Sequence, residues 1–368
     1  MIIKTNDMKA KTLFLTVIVT FLFAVASGQN GKKYFKAGNE FMEGMKYEDA
    51  IAQFTSAIGL EPANPYYYHA RGDAYLKLNK YADAQADFEK VLVFDAKDVD
   101  SYVSLGMIFN KLAKYDDALR VLNRATALDK RNGKAYPEKV ITLIALEKFD
   151  QALKVSDTAV AIDDTPMNYY YRGIIYRKLT NDALAKKEFE KSISKDKKLP
   201  EPRLALADLL LNSNTAEALN QCNEVLKNDE RNTDAYIMRS RIYKKNLDYP
   251  NAINDLSKNI LIDPDNAGFY MIRGTYYQEF NQHTNAIADF SKYVALNPND
   301  PEVYFARARS YEEIMNYEKA MEDYAKITVL SEDDPKARRM LKDAEGRLYE
   351  LNREKVPPEI TLVSPVPV

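Results

Sequence analysis

The chain is 368 residues long with a formal net charge of −2 and 29% charged residues, a balance that gives no push toward nucleic acid or an anionic membrane. Hydrophobic residues make up 46%, enough to bury a core, which excludes global disorder. The single cysteine, Cys222, excludes an internal disulfide, and with only His69 and His283 beside it no zinc site can be built.

Lys4, Lys9 and Lys11 precede an apolar run from Leu13 to Ala26, followed by Ser27-Gly28-Gln29. A charged start, a short apolar run and small residues at the cut are the pattern of a signal peptide over 1–28, with cleavage after Gly28. Met8 is an alternative start, and no cysteine follows the apolar run to carry a lipid anchor. The competing expectation is an uncleaved anchor, since Thr12 to Gly31 is just long enough to span a bilayer. Either way the chain is expected to be exported, to the periplasm or the extracellular space. It would meet a membrane only through an uncleaved signal segment.

From Gly31 to Asp334 one unit recurs. Its clearest copy has Gly72, Tyr75, Ala84 and Phe88, and the pattern returns at Gly274, Tyr277, Ala286 and Phe290. Counting each unit from its first residue, a small residue stands at position 8, an aromatic at 11, alanine at 20 and a bulky side chain at 24. Nine copies follow in one phase: 31–64, 65–98, 99–132, 133–165, 166–199, 200–232, 233–266, 267–300 and 301–334. Spacings of three and four put these residues on one helix face, and a repeat of this length builds a quasi-one-dimensional array. Gly38, Gly72, Gly106, Gly173 and Gly274, with Ala50, Ala84, Ala118 and Ala286, are assigned to close helix crossings. Pro62, Pro264 and Pro298 end second helices, and the Asp and Asn residues beside them suit turns and caps. An aromatic at position 17 marks the turn between helices, and His283 takes that slot in the eighth copy.

These residues at this spacing resemble the tetratricopeptide repeat family. The resemblance implies an all-α fold, an α-solenoid of helix-turn-helix units in a right-handed superhelix with a concave groove. In that family positions 2, 5, 9 and 12 of the first helix face inward and bind peptides. Carried onto this chain, the groove residues are Tyr66, His69 and Asp73, Tyr170 and Arg177, Arg241 and Lys244, and Phe305 and Arg309. The clamp by which some relatives hold chaperone tails is missing: Asn39 is in place, but Phe35, His69 and Asp73 replace its other members. Arg71, Arg172, Arg239, Arg273 and Arg307 all fall at position 7, a regularity that argues for paired, structural guanidinium groups.

The fifth and sixth copies depart from the pattern. Asp182 replaces the turn aromatic, and the sixth copy is one residue short near Leu211 to Thr215. Array stability is roughly a sum of neighbour interactions, so amide exchange is expected to be faster from residue 180 to 215 than in the flanking copies. Uniform protection across all copies contradicts this.

Pro335 opens a further helix over 335–353, in which Ala337, Met340, Leu341, Ala344, Leu348 and Leu351 recur at helical spacing to cap the array. Residues 354–368 are proline-rich, an extended tail or the start of a further domain, with Ile360 to Val363 reading as a lone strand. They weakly resemble linkers that lead into caspase-like domains. No glycine-rich phosphate loop and no Ser or Cys nucleophile with a neighbouring His is present. Asp263, Asp265 and Gly268 fail as a calcium loop because Gly274 stands at its twelfth position. The expectation is a non-enzymatic scaffold without cofactor, metal, nucleic acid or small-molecule substrate, whose partner is a protein or peptide. Two alternatives remain: a regulatory arm of a larger enzyme continuing past Val368, or a structural part of an envelope assembly.

Overall fold

The computed structural model describes residues 30–330 and, beyond them, 342, 343, 345–347, 349–351 and 353. The expected signal peptide, the extended tail and the start of the expected cap helix lie outside the described residues. All regular structure among the described residues is α-helical. The chain divides into two compact units, ending at Ser192 and starting at Ile193. The first holds α1 (30–43), α2 (Tyr47–Leu60), α3 (Pro65–Lys77), α4 (Tyr81–Phe94), α5 (Val99–Lys111), α6 (Tyr115–Leu128), α7 (Ala135–Ala145), α8 (Phe149–Ile162), α9 (Pro166–Lys178) and most of α10 (Asp182–Lys195). The second holds α11 (Pro200–Leu210), α12 (Thr215–Asn228), α13 (Thr233–Lys245), α14 (Tyr249–Ile262), α15 (Ala267–Glu279), α16 (His283–Leu296), α17 (Pro301–Glu313), α18 (Tyr317–Leu330) and the described helical residues of 342–353, here α19.

An odd helix and the even helix after it run antiparallel. In α3 and α4, Gly72 faces Phe88 and the Tyr68 ring lies 5.9 Å from Phe94. Moving back along α3 therefore moves forward along α4. The alanine at position 20 is fully buried in every even helix, from Ala50, Ala84 and Ala118 to Ala286 and Ala320. Position 24 is also buried throughout, by Phe54, Phe88, Leu122, Ser156, Phe189, Cys222, Leu256, Phe290 and Tyr324. The glycines at position 8 lie against these bulky side chains. A Cβ on Gly38 would stand 2.4 Å from the Phe54 ring, and one on Gly173 2.5 Å from Phe189.

Tyrosine at position 4 ties six of the odd helices to the loop before them. The hydroxyls of Tyr68, Tyr102, Tyr136, Tyr236, Tyr270 and Tyr304 each donate to the carbonyl six residues back, at 2.9–3.3 Å. In the sixth copy Arg203 replaces tyrosine, and its Nε makes the same bond to the Lys197 carbonyl at 3.0 Å.

The position-7 arginines form a ladder. Arg71 Nε and Nη2 donate to both oxygens of Asp87, at 2.8 and 2.7 Å, while Nη1 donates to Thr55 Oγ1 on the preceding even helix at 3.0 Å. Arg239 repeats this with Asp255 and Asn223, Arg273 with Asp289 and Ser257, and Arg307 with Asp323 and Ser291. Arg172 varies it: Nε and Nη2 both donate to one oxygen, Glu188 Oε2, at 3.0 and 2.8 Å, and Nη1 donates to Asp157 at 3.0 Å. Each guanidinium thus joins its own even helix to the previous one. Tyrosine rings add cation–π contact, as Tyr236 and Tyr243 do for Arg239 at 5.4 and 5.9 Å. Leu105, Lys139 and Leu206 interrupt the ladder.

Odd helices end in one recurring turn. In eight of them the residue after the C-cap is left-handed: Met45, Asn79, Ala113, Glu147, Thr180, Leu247, Asn281 and Met315, with φ between 55° and 60°. The two bonds of a Schellman cap accompany it, for example Thr180 N to Arg177 O and Asn181 N to Tyr176 O, at 3.0 and 2.8 Å. None of the eight is glycine, so each stores strain, least for asparagine and most for the β-branched threonine. Thr180→Gly is expected to stabilise the chain by about 1 kcal/mol and Asn79→Gly by a few tenths at most, read as shifts in the urea midpoint. The turn after α11 differs: Leu211 is right-handed, and Ser213 and Asn214 both donate to the Leu210 carbonyl.

Candidate functional site

The odd helices also pack against each other within each unit, α5 on α7, α7 on α9, α11 on α13 and α15 on α17. Their shared face carries the candidate site. In the first unit it forms an open cavity of about 860 Å³ that reaches from α1 to α9. Met42, Leu76, Val103, Met107, Pro137 and Met167 supply apolar surface. Asp73, Asp100, Glu138 and Asp163 supply carboxylates, and Lys77, Lys111 and Lys134 line it as exposed cations. A second cavity of about 250 Å³ adjoins it, lined by Pro65, Tyr66, His69, Val91, Asp95, Asp98 and Asp100. His69 and Asp100 belong to both.

Of the residues assigned to the groove, His69 and Asp73 line the larger cavity. Tyr66 lines only the smaller one and is 74% exposed. Asn64 at the N-cap of α3 sets that edge by accepting from Tyr66 N at 3.2 Å. His69 has a packing role as well, since its ring stands edge-on to Phe88 at 5.2 Å. Its Nδ1 lies 3.2 Å from Asp73 Oδ2. That bond raises the His69 pKa above the ordinary 6.5 against the opposing effect of burial, helped by Asp98 and Asp100. A pKa raised on folding gives stability that is complete below about pH 6.5 and is lost as pH rises through the folded value. An NMR titration of His69 should have its midpoint above 6.5, move down in Asp73→Asn, and account for a pH slope in stability that His69→Gln lacks.

The remaining groove assignments fall elsewhere. Tyr170 packs on Tyr171 and Phe189 and, like the half-buried Arg177, is absent from the lining of the cavity. In the second unit Arg241 Nη1 pairs with Asp208 at 3.0 Å. Lys244 Nζ pairs with Glu279 at 2.6 Å and sits over the Tyr276 ring. These pairs cross from α11 to α13 and from α13 to α15, so both cations are engaged with neighbouring odd helices. Phe305 stacks edge-on to Tyr324. With Arg309 it lines a pocket of about 440 Å³ that α19 helps to form through Lys342, Asp343, Arg347 and Glu350. Arg347 pairs with Glu312, and Leu351 is buried among Ala308, Tyr324 and Ile327.

Two residues that matter here were not picked out from the sequence. Met107 stands at position 9 of the third copy, where the inward-facing rule would have found it. Glu138 stands at position 6, outside that rule. Asn110 Nδ2 donates to its carboxylate at 3.0 Å and to its carbonyl at 3.1 Å, and Thr142 Oγ1 donates to Asn110 Oδ1 at 2.8 Å. Burial raises the Glu138 pKa, opposed by the Asn110 bond and by Lys111. Among the described residues no three His, Cys, Asp or Glu are grouped to hold a metal ion, and no helix is long and apolar enough to cross a membrane.

Comparison with known proteins bears on the fold. A TPR repeat model matches residues 38–79, and a tetratricopeptide repeat model matches 69–137 and 271–335. A chain of the APC/C hetero-tetramer Cut9-Hcn1 superposes with a TM-score of 0.54 at 18% identity, over 72% of this chain and 52% of that one. This chain thus spans about half the length of that relative. The C-terminal part of a TPR repeat-containing protein from Cytophaga hutchinsonii gives 0.50 at 18% identity, over 65% and 99%. A tetratricopeptide repeat protein from Parabacteroides merdae gives 0.47 at 20%, over 77% and 99%. No curated protein matches the sequence. Residues 38–137 and 271–335 thus match tetratricopeptide repeat models, and the described residues form an all-α helical repeat fold.

Proposed function

We propose that the chain is an exported scaffold of nine tetratricopeptide repeats that binds a protein or peptide segment along the odd-helix face of its first unit. Tetratricopeptide proteins bind protein or peptide partners, and one observation carries the reading here: the cavity of about 860 Å³ that touches five successive repeats with an apolar floor. Neighbouring helices stand about 8–10 Å apart, so the groove suits a linear segment better than a compact small molecule. On the second unit, Arg241 and Lys244 are tied to carboxylates of adjacent helices. Export rests on the signal-like residues 1–28 and predicts a mature chain beginning at Gln29, which N-terminal sequencing of the secreted form would read. Binding is tested by a photo-crosslinking amino acid at Met107, in the groove, and at Lys90, exposed on α4. The reading expects a partner adduct at 107 and none at 90. Equal adducts at both positions overturn it.

A further inference from the structure

Taking the groove of the first unit as the binding site, we infer that its occupant is a peptide with an apolar side chain flanked by arginine or lysine. Charge and its distribution carry this. The two adjoining cavities together present six carboxylates against three lysines and His69, whose ring pairs with Asp73. Two of these carboxylates, Asp73 and Glu138, are half-buried on α3 and α7, whereas Lys77, Lys111 and Lys134 are exposed, as are Asp95, Asp100 and Asp163. A lysine ammonium on its four-carbon stem can swing into water when a ligand arrives, but a half-buried carboxylate on a helix cannot.

Glu138 is the most informative of these groups. Its carboxylate accepts one hydrogen bond, from Asn110, and lines the groove beside the apolar floor. A carboxylate has room for about four such bonds, and covering it with an apolar or acidic ligand would strip its water without replacement. A guanidinium or ammonium from the ligand supplies the missing donors. His69 lies in the same field: its Nδ1 is 3.2 Å from Asp73 Oδ2, and Asp98 and Asp100 also favour its charged form. An acidic peptide or a nucleic acid would meet the same carboxylates as repulsion. The apolar part of the ligand is set by Met107, Met167, Val103 and Leu76, with methionines able to fit side chains of varied shape.

The test is selection of a random displayed peptide library on the full chain, with steric blockers Met107→Trp and Ser104→Trp as groove controls and circular dichroism to check that each variant folds. The expected result is peptides with arginine or lysine next to an apolar residue that lose binding to both blockers. Their affinity should fall about tenfold in Glu138→Gln, which keeps an acceptor for Asn110, and should fall further with added salt. Peptides that require an open groove but are neutral or acidic, or that ignore Glu138→Gln, overturn the cationic assignment and leave the groove reading standing. Peptides that bind the blockers as well as the parent, or no enrichment at all, overturn both.

Discussion

Arg273→Leu is expected to destabilise the second unit by about 3–5 kcal/mol, as removal of one partner of a buried pair does. The side chains of Arg273 and Asp289 are 18% and 6% exposed, and two bonds of 2.7 Å join them. The cost comes from Asp289, left charged and buried without a donor. Ser257 loses less, because its hydroxyl keeps its own bond to the Ile253 carbonyl at 2.8 Å. The double variant Arg273→Leu, Asp289→Leu should therefore recover to within about 1 kcal/mol of the parent, since a buried pair rarely out-stabilises apolar residues of similar size. Urea unfolding of the four chains of this cycle measures it. If the double variant is as unstable as the single, the ladder stabilises through the pair itself. Recovery instead assigns it to register, with each arginine locking two even helices at one offset. The breaks at Leu105 and Lys139 fit the second view, for α4, α5, α6, α7 and α8 still pack in succession across them. Lys139 shows the cost of a half-converted rung. Its ammonium donates to Thr126 Oγ1 at 3.4 Å, and burial lowers its pKa.

Much of this fold was legible because the residues that build it recur at fixed spacing. Gly72, Ala84 and Phe88 announce a helix pair by spacing alone, and the return of the pattern along the chain removes the chance of coincidence. The arginine at position 7 was visible as a regularity, but its partner was not, although Asp87, Glu188, Asp255, Asp289 and Asp323 all stand sixteen residues later. That signal lies in the sequence and needs only the antiparallel pairing to be read. The left-handed turn residues were hidden for the opposite reason: methionine, leucine, threonine and glutamate give no local sign of positive φ. The groove was legible by rule and not by energetics. Inward-facing positions found His69 and Asp73, but Arg241 and Lys244 obey the same rule and are paired away. Whether a groove residue is available depends on its neighbour one repeat along, such as Asp208 or Glu279, and a single-helix rule does not hold that information.

The glycines at position 8 should divide into two classes under the same substitution. In a helix interior alanine is favoured over glycine by about 0.5–1 kcal/mol, so the sign of each Gly→Ala change depends on what the new methyl meets. At Gly38, Gly106 and Gly173 it would stand 2.4–2.5 Å from Phe54, Leu122 and Phe189. These neighbours are fully buried and cannot swing away, and overpacking of that kind costs about 1–3 kcal/mol. Gly106→Ala should thus be destabilising in spite of its better helix propensity. At Gly72 the nearest ring atoms of Phe88 lie at 3.0–3.2 Å, a shift of a few tenths of an ångström relieves the contact, and the two effects should nearly cancel. Trimming the neighbour makes the contrast sharper. Gly173→Ala in a Phe189→Leu background should cost less than in the parent, because the smaller side chain yields the space the methyl needs. Unfolding midpoints of Gly72→Ala, Gly106→Ala and the Gly173–Phe189 cycle decide the matter. Equal losses at all three glycines would mean that the backbone, rather than the facing side chain, requires glycine at this position.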